Sequence, residues 1–357
     1  MRRAARRIAC GVAGAVPVAF VGGAAVYRHQ HRVQLPDHHL QPLTGSVVVV
    51  TGGTSGVGRA AAERLLGLGA SVVLGTRDAE RGEATRRSLL EATGGSSGTV
   101  EVLPLDLSST RSALSFAESV ARRHPEGVRA LVCCAAEIRT EPALSSDGVD
   151  LAFAANHLGA HAVVRSLEPS LQRASAGANG RSRVVMVGSR LEKRAVLDVD
   201  KLVTSRGAVV AEVERFDPML HYAATKRANM LLALSLHERW RQEGASIDVL
   251  TVTPGMVDTN LWGNFPLWYR TLTRPVRWAF LRTPAEAAEG VVYAAAAAET
   301  EGLSGLYLSD GAPLEPSAGS RDASAADRLY RLCEELVAAA ATGGAAATAA
   351  ASAGGRV

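Results

Sequence analysis

Along most of the chain, short runs of consecutive apolar, often β-branched residues alternate with longer stretches whose apolar positions recur at helical spacing. Residues 46–51 (SVVVVT) form the first strand-like run, and 57–68 the first helical stretch. Residues 71–76 (SVVLGT) predict a second strand, 78–93 a helix with a polar face, and 99–105 a third strand. A helix over 109–124 opens with Ser/Thr capping candidates. The alternation continues with a strand at 128–134, a helix over roughly 149–171 and a strand at 183–187. It ends with a long helix at 220–243, a strand at 247–252, a helix at 284–298 and a short strand at 305–308. Strands of continuous apolar character, separated by amphipathic helices, predict a parallel sheet covered on both faces. The expected fold class is therefore α/β. It is a Rossmann-type doubly wound parallel sheet of about seven strands with helices on both faces, spanning residues 44–311.

The ends of the chain read differently. Residues 8–27 carry no charge and are flanked by arginines, about the length of a bilayer-spanning helix. Residues 1–36 are thus read as a membrane anchor or targeting segment; an Arg-rich organellar presequence and a cleaved secretory signal stay open as alternatives. Residues 37–43 read as a linker, and 312–340 as a helical extension with an amphipathic helix at 325–337. Residues 341–357 read as a disordered Ala/Gly-rich tail, with little to pack from Ala338 onward.

Charge changes the picture once it is localised. Of the net +4, six arginines before the first acid, Asp37, contribute +6, so the remainder carries −2. No basic surface for nucleic acid is expected in the body. The four cysteines, Cys10, Cys133, Cys134 and Cys333, lack metal-ligand spacing and fit a reducing compartment. His157 and His161 lie one helical turn apart without a third ligand in sequence, so no metal is expected.

Two segments carry chemistry. Thr51-Gly52-Gly53-Thr54-Ser55-Gly56-Val57-Gly58 lies between the first strand and the first helix, where glycines let a backbone approach a pyrophosphate. Gly52, Thr54, Ser55, Gly56, Val57 and Gly58 are accordingly expected to bind a dinucleotide. Arg77, after the second strand, is placed to pair with a 2′-phosphate, which favours NADP(H) over NAD(H); the alternative is a solvated charge beside a helix-capping Asp78. Asp106, after the third strand, is a candidate for the adenine edge or a charge at a helix start. In Tyr222-Ala223-Ala224-Thr225-Lys226 a phenol and an ammonium share one helix face. A neighbouring positive charge lowers a phenol's pKa, so Tyr222 is expected to act as general acid/base with Lys226 as its helper.

Together these motifs resemble the short-chain dehydrogenase/reductase family, and most of all its retinol-dehydrogenase-like, membrane-associated branch, over about residues 44–311. The resemblance implies that Ser189 hydrogen-bonds the substrate oxygen and that Asn156 orders a water in a proton relay to Lys226. It implies that Lys226 also contacts the nicotinamide ribose. It assigns Pro254, Gly255, Val257 and Thr259 to the nicotinamide carboxamide. Cys133-Cys134-Ala135-Ala136 stands where the family commonly has Asn-Asn-Ala-Gly, which removes a polar bridge between strands and adds a methyl near the ribose. Six of the 16 aromatics fall at residues 262–280, and Trp262 and Phe265 are candidate substrate contacts. The expected activity is NADP(H)-dependent interconversion of a carbonyl and an alcohol on a hydrophobic, retinoid-, steroid- or lipid-like substrate. Alternatives are a non-catalytic NADP(H)-binding sensor or scaffold, and a double-bond reductase of the same family. The resemblance also implies a membrane location, the endoplasmic reticulum ahead of the mitochondrion, and a homodimer as a candidate assembly through the helices of Asn156 and Tyr222.

Overall fold

The computed structural model describes residues 39–94, 98–177, 180–208, 216–258, 271 and 281–342. The first half runs β1 (Val47–Thr51), α1 (Gly56–Gly67), β2 (Ser71–Thr76), α2 (Ala79–Ala92), β3 (Val100–Pro104), α3 (Thr110–Arg123) and β4 (Ala130–Cys133). A continuous helical stretch follows: α4 (Leu151–Phe153), a π-helical turn (Ala154–Leu158) and α5 (Gly159–Ser175). Next come β5 (Ser182–Val187), a 3-10 turn (Arg190–Arg194), α6 (Val199–Thr204), α7 (Pro218–Glu243) and β6 (Ile247–Thr253). α8 (Pro284–Ala296), a 3-10 turn (Ala298–Thr300), β7 (Tyr307–Ser309), β8 (Ala312–Pro313), a 3-10 turn (Ala318–Ser320) and α9 (Ala323–Ala341) follow.

The strands form one sheet in the order β3-β2-β1-β4-β5-β6-β7-β8, parallel throughout except for the β7–β8 pair. The eight strands agree with the expectation of about seven, the last arising because Gly311 turns the chain at φ +77 and lets Ala312–Pro313 fold back on β7. Strand order reverses between β1 and β4, and a crevice opens there at the carboxyl ends of the strands. The VVVV run of β1 shows why both faces must be covered. Val47 and Val49 enter a core with α3, α5 and α7, while Val48 and Val50 enter a second core with α1 and α8.

Asp78, Ser109, Asp150 and Asp217 each accept a backbone N–H at a helix start. The insertion between Ser189 and Tyr222 contains a short helix, α6, that joins a third apolar cluster with α7 and α9. α9 is longer than the amphipathic segment expected at 325–337, and it continues to Ala341 through alanines of high helix propensity. It packs on α7, α3, α6 and α5, with Leu329, Leu332, Cys333 and Leu336 buried. It thus covers part of the helix pair expected to meet a second copy. Residues 39–43 run against the core: Gln41 N donates to Ala296 O at 2.9 Å and Leu43 N to Leu68 O at 2.8 Å. Among the described residues no helix is long and apolar enough to cross a membrane, and the segment 8–27 lies outside them.

Candidate functional site

The crevice at the strand reversal is a cleft of ≈ 1270 Å³. Gly52, Thr54, Ser55, Gly56, Val57 and Gly58 all line one end of it. Two glycines are required by contact. Gly52 has φ +70, and a side-chain carbon there would lie 2.7 Å from the backbone of Ala135. A side chain on Gly58 would lie 2.4 Å from the carbonyl oxygen of Gly52. Ser55 sits at the N-cap of α1 in an extended conformation, and its side chain makes no capping bond. No acid lies in the first turn. The leading N–H groups of α1 therefore lack a side-chain cap, and the helix dipole favours an anion there. A dinucleotide pyrophosphate fits this donor set.

Arg77 lines the cleft and is exposed, with no ion-pair partner among the described residues. Asp78 accepts from Arg81 N at 3.0 Å, so it caps α2, as its alternative reading held. Arg81, in the first turn of α2, also lines the cleft, and no sequence motif marks it. Asp106 also lines the cleft, and its Oδ1 accepts from Ser108 N at 3.0 Å and Ser108 Oγ at 2.7 Å. Ser109, not Asp106, caps α3.

At the other end the cleft is lined by Ser189, Tyr222, Lys226 and Asn156. Lys226 is buried and donates from Nζ to the Val187 carbonyl at 2.8 Å. Its nitrogen stands 5.5 Å from the centroid of the Tyr222 ring. Burial pulls the Lys226 ammonium down to about 8, against smaller upward effects of Cys134 and Cys133. The electrostatics of Tyr222 differ from expectation: burial, then Cys134, pushes its phenol above the usual value rather than below it. Desolvation of the phenolate at this buried position sets the direction. The Ser189 oxygen accepts from Leu191 N at 3.2 Å, which leaves the hydroxyl proton for a further acceptor.

Asn156 lies in the π-helical turn and is 1% exposed. Its Oδ1 accepts from Glu137 N at 2.8 Å, and its Nδ2 donates to Glu137 O at 2.9 Å and to Thr225 Oγ1 at 3.1 Å. The whole amide is spent on fixing the loop after β4 and the Tyr222 turn, and the main-chain carbonyl accepts from Asn229 Nδ2 at 3.0 Å. Of the Cys133–Ala136 segment, Cys133 faces one core and Cys134 packs against the other. Burial pushes their thiols up to about 12 and about 11, which keeps both protonated at neutral pH.

Pro254, Gly255 and Val257 line the cleft beyond β6. Arg282 N donates to Met256 O at 2.8 Å and Asp258 N donates to Arg282 O at 3.0 Å, pinning residues 256–258 to 282. Arg282 pairs with both oxygens of Asp310, which adopts φ +57. Thr259, Trp262 and Phe265 lie outside the described residues. Ile138, Leu191, Met219 and Met256 also line the cleft, without a sequence signal that separated them from core residues. His157 and His161 are committed to protein partners: His157 to Asn229 at 2.9 Å and His161 to Glu334 at 2.6 Å.

Comparison with known proteins agrees with this architecture. The family model for short chain dehydrogenase matches residues 46–215. The chain is 33% identical over 305 residues to retinol dehydrogenase 14 of Mus musculus, covering 83% of this chain and 86% of that protein. It is 36% identical over 293 residues to polyprenol dehydrogenase of Mus musculus, covering 82% and 83%. Among solved structures, an uncharacterised protein from Mycobacterium paratuberculosis superposes with a TM-score of 0.64 at 26% identity, covering 84% of this chain and 96% of that one. The NADP-bound 3-oxoacyl (acyl-carrier-protein) reductase of Agrobacterium tumefaciens shares the fold, with a TM-score of 0.56 at 24% identity, covering 78% and 98%. The chain is an oxidoreductase and belongs to the short-chain dehydrogenase/reductase family, in its retinol-dehydrogenase-like branch.

Proposed function

We propose that this protein is an NADP(H)-dependent oxidoreductase that interconverts a carbonyl and an alcohol on a hydrophobic substrate, with Tyr222 as general acid/base. The observation that carries the reading is the convergence of Ser189, Tyr222 and Lys226 on one cleft with the glycine turn at its other end. Gly52, Thr54, Ser55, Gly56, Val57 and Gly58 would hold the pyrophosphate, Asp106 the adenine edge and Lys226 the ribose. Arg77, joined by Arg81, would hold the 2′-phosphate through a planar cationic fork. Pro254, Gly255, Val257 and Thr259 would hold the carboxamide. When bound, the dinucleotide supplies or takes up a hydride.

The chain's own residues manage the proton. The buried phenol of Tyr222 holds its hydrogen in the free protein, so in reduction it donates that proton to the carbonyl oxygen and is left as phenolate; in oxidation it must first lose its proton, and the phenolate then takes the proton of the alcohol. The Ser189 hydroxyl has its proton free to polarise the same oxygen. Lys226 brings a positive charge to the buried end of the cleft, held in place by the Val187 carbonyl. The relatives named for retinol and polyprenol support an apolar alcohol or aldehyde as substrate. Ile138, Leu191, Met219 and Met256 give the cleft an apolar wall for it, and Trp262 and Phe265 are proposed as further contacts.

Residues 8–27 are proposed to attach the protein to a membrane, with the endoplasmic reticulum favoured; flotation of the full chain with liposomes tests this. The enzymatic reading is tested by titrating the full chain with NADPH and NADH and following a panel of apolar aldehydes with product analysis. Alcohol product with NADPH consumed supports it. A saturated aldehyde from an enal would replace it with double-bond reduction.

A further inference from the structure

His157 lies one residue beyond Asn156, inside the same π-helical turn, and is buried. Its Nδ1 is 2.9 Å from Asn229 Oδ1, and its Nε2 is 3.5 Å from the sulfur of Cys333 on α9. Asn229, on α7, donates from Nδ2 to the main-chain carbonyl of Asn156 at 3.0 Å.

The direction of each bond follows from the second partner of each group. A carbonyl only accepts, so the amide nitrogen of Asn229 must face Asn156 and its oxygen must face His157. The oxygen accepts, so His157 carries its proton on Nδ1. Nε2 is then a bare acceptor, and the Cys333 thiol is the donor to it. Burial supports the same protonation: it pulls the imidazole down to about 3 and pushes the Cys333 thiol up, so neither group is charged near neutrality.

A π-helical turn slips the backbone register from i+4 to i+5, as in the bond from Gly159 N to Ala154 O. Such a wide turn depends on partners outside the helix. Here the bond from Asn229 holds one side of it, and the bonds from the Asn156 amide to Glu137 and Thr225 hold the other. Thr225 in turn donates to the carbonyl of Tyr222 at 2.8 Å. A continuous series of buried hydrogen bonds therefore runs from α9, outside the sheet, through Cys333, His157, Asn229, Asn156 and Thr225 to the turn that carries Tyr222.

We propose that Asn229, His157 and Cys333 are positioning residues for the reaction: from the C-terminal helix they fix the Asn156 turn and, through Thr225, the placement of Tyr222. The inference rests on the catalytic reading of Tyr222 given above.

The test uses the full chain and measures kcat, KM, NADPH affinity and Tm. Asn229→Asp keeps the shape but cannot donate to the Asn156 carbonyl. It is expected to lower kcat by roughly ten- to hundredfold with NADPH affinity unchanged, the scale that misplacement at a reacting centre produces. His157→Asn retains a donor near the Nδ1 position and should recover much of the kcat lost in His157→Leu. Cys333→Ser should retain more activity than Cys333→Val. Should Asn229→Asp not fold, the two paired comparisons at 157 and 333 decide alone. Wild-type kcat in Asn229→Asp overturns the proposal. So does a fall of kcat, affinity and Tm together with no rescue in either conservative variant, the pattern of a purely structural role. Turnover retained by Tyr222→Phe removes the catalytic reading itself. An inactive Tyr222→Phe beside a fully active Asn229→Asp overturns only the positioning role.

Discussion

Lys226 and Val187 are joined by a hydrogen bond of 2.8 Å from the ammonium to the main-chain carbonyl, which ties α7 to the end of β5 two residues before Ser189. One contact thus sets the spacing between the strand end that presents Ser189 and the helix that presents Tyr222. It also places a cation where burial alone would exclude one, since a buried ammonium needs an acceptor. The lysine remains costly to charge there, and its ammonium lies near 8.

That value gives a pH prediction. In the free enzyme Lys226 is charged below about 8 and neutral above it. If the charge is needed, kcat/KM for carbonyl reduction falls as pH rises through this region, because kcat/KM reports ionisations of the free enzyme. Lys226→Arg, whose charge does not titrate in this range, should lack that limb while retaining any lower one. The pH profiles of kcat/KM for NADPH, measured for the two proteins with one aldehyde at saturation, check it.

Cofactor choice is predicted to reside in two arginines. Removing a charge-assisted contact costs about 1.5–3 kcal/mol, or roughly ten- to hundredfold in affinity. Arg77→Ala should therefore weaken NADPH binding by that factor and leave NADH binding nearly as it was. Arg81→Ala should act in the same direction with a smaller effect, because Arg81 lies within the first turn of α2 rather than at the end of β2. Equal losses for both cofactors would assign the arginines to the pyrophosphate or to folding instead.

His157 makes stability depend on acid. Burial holds its folded value near 3, below the ordinary value of about 6.5. As pH falls below about 6.5 the unfolded chain takes up a proton that the folded protein refuses, so stability drops through the window down to about 3 and is fully present above it. His161 is pulled the same way, by burial first, with Glu334 opposing. Tm should fall on acidification from pH 6.5, and less steeply in His157→Asn. Parallel Tm curves for the two proteins would contradict this account.

How much of this was legible in the sequence varies with the range of the physics. The alternation of apolar strands and amphipathic helices depends on local pattern, and the doubly wound sheet followed from it. Gly52 and Gly58 were readable because a strand, a tight turn and a helix adjoin in sequence. The strand at Ala312–Pro313 was not, since two residues carry no periodicity and the pairing depends on where β7 lies. The commitment of the Asn156 amide to Glu137 and Thr225 is equally hidden, because its partners lie 19 and 69 residues away. The raised phenol of Tyr222 was missed for a related reason: helical spacing gives the neighbouring charge but not the degree of burial.

The most direct measurement of the central claim is turnover of the full-length Tyr222→Phe variant with NADPH and an apolar aldehyde, set beside its NADPH affinity. The account predicts a fall in kcat of roughly a hundred- to ten-thousandfold, the usual contribution of a positioned general acid, with NADPH affinity nearly unchanged. Turnover within the range of the native protein, at the same affinity, would contradict it and move the proton chemistry to another group in the cleft.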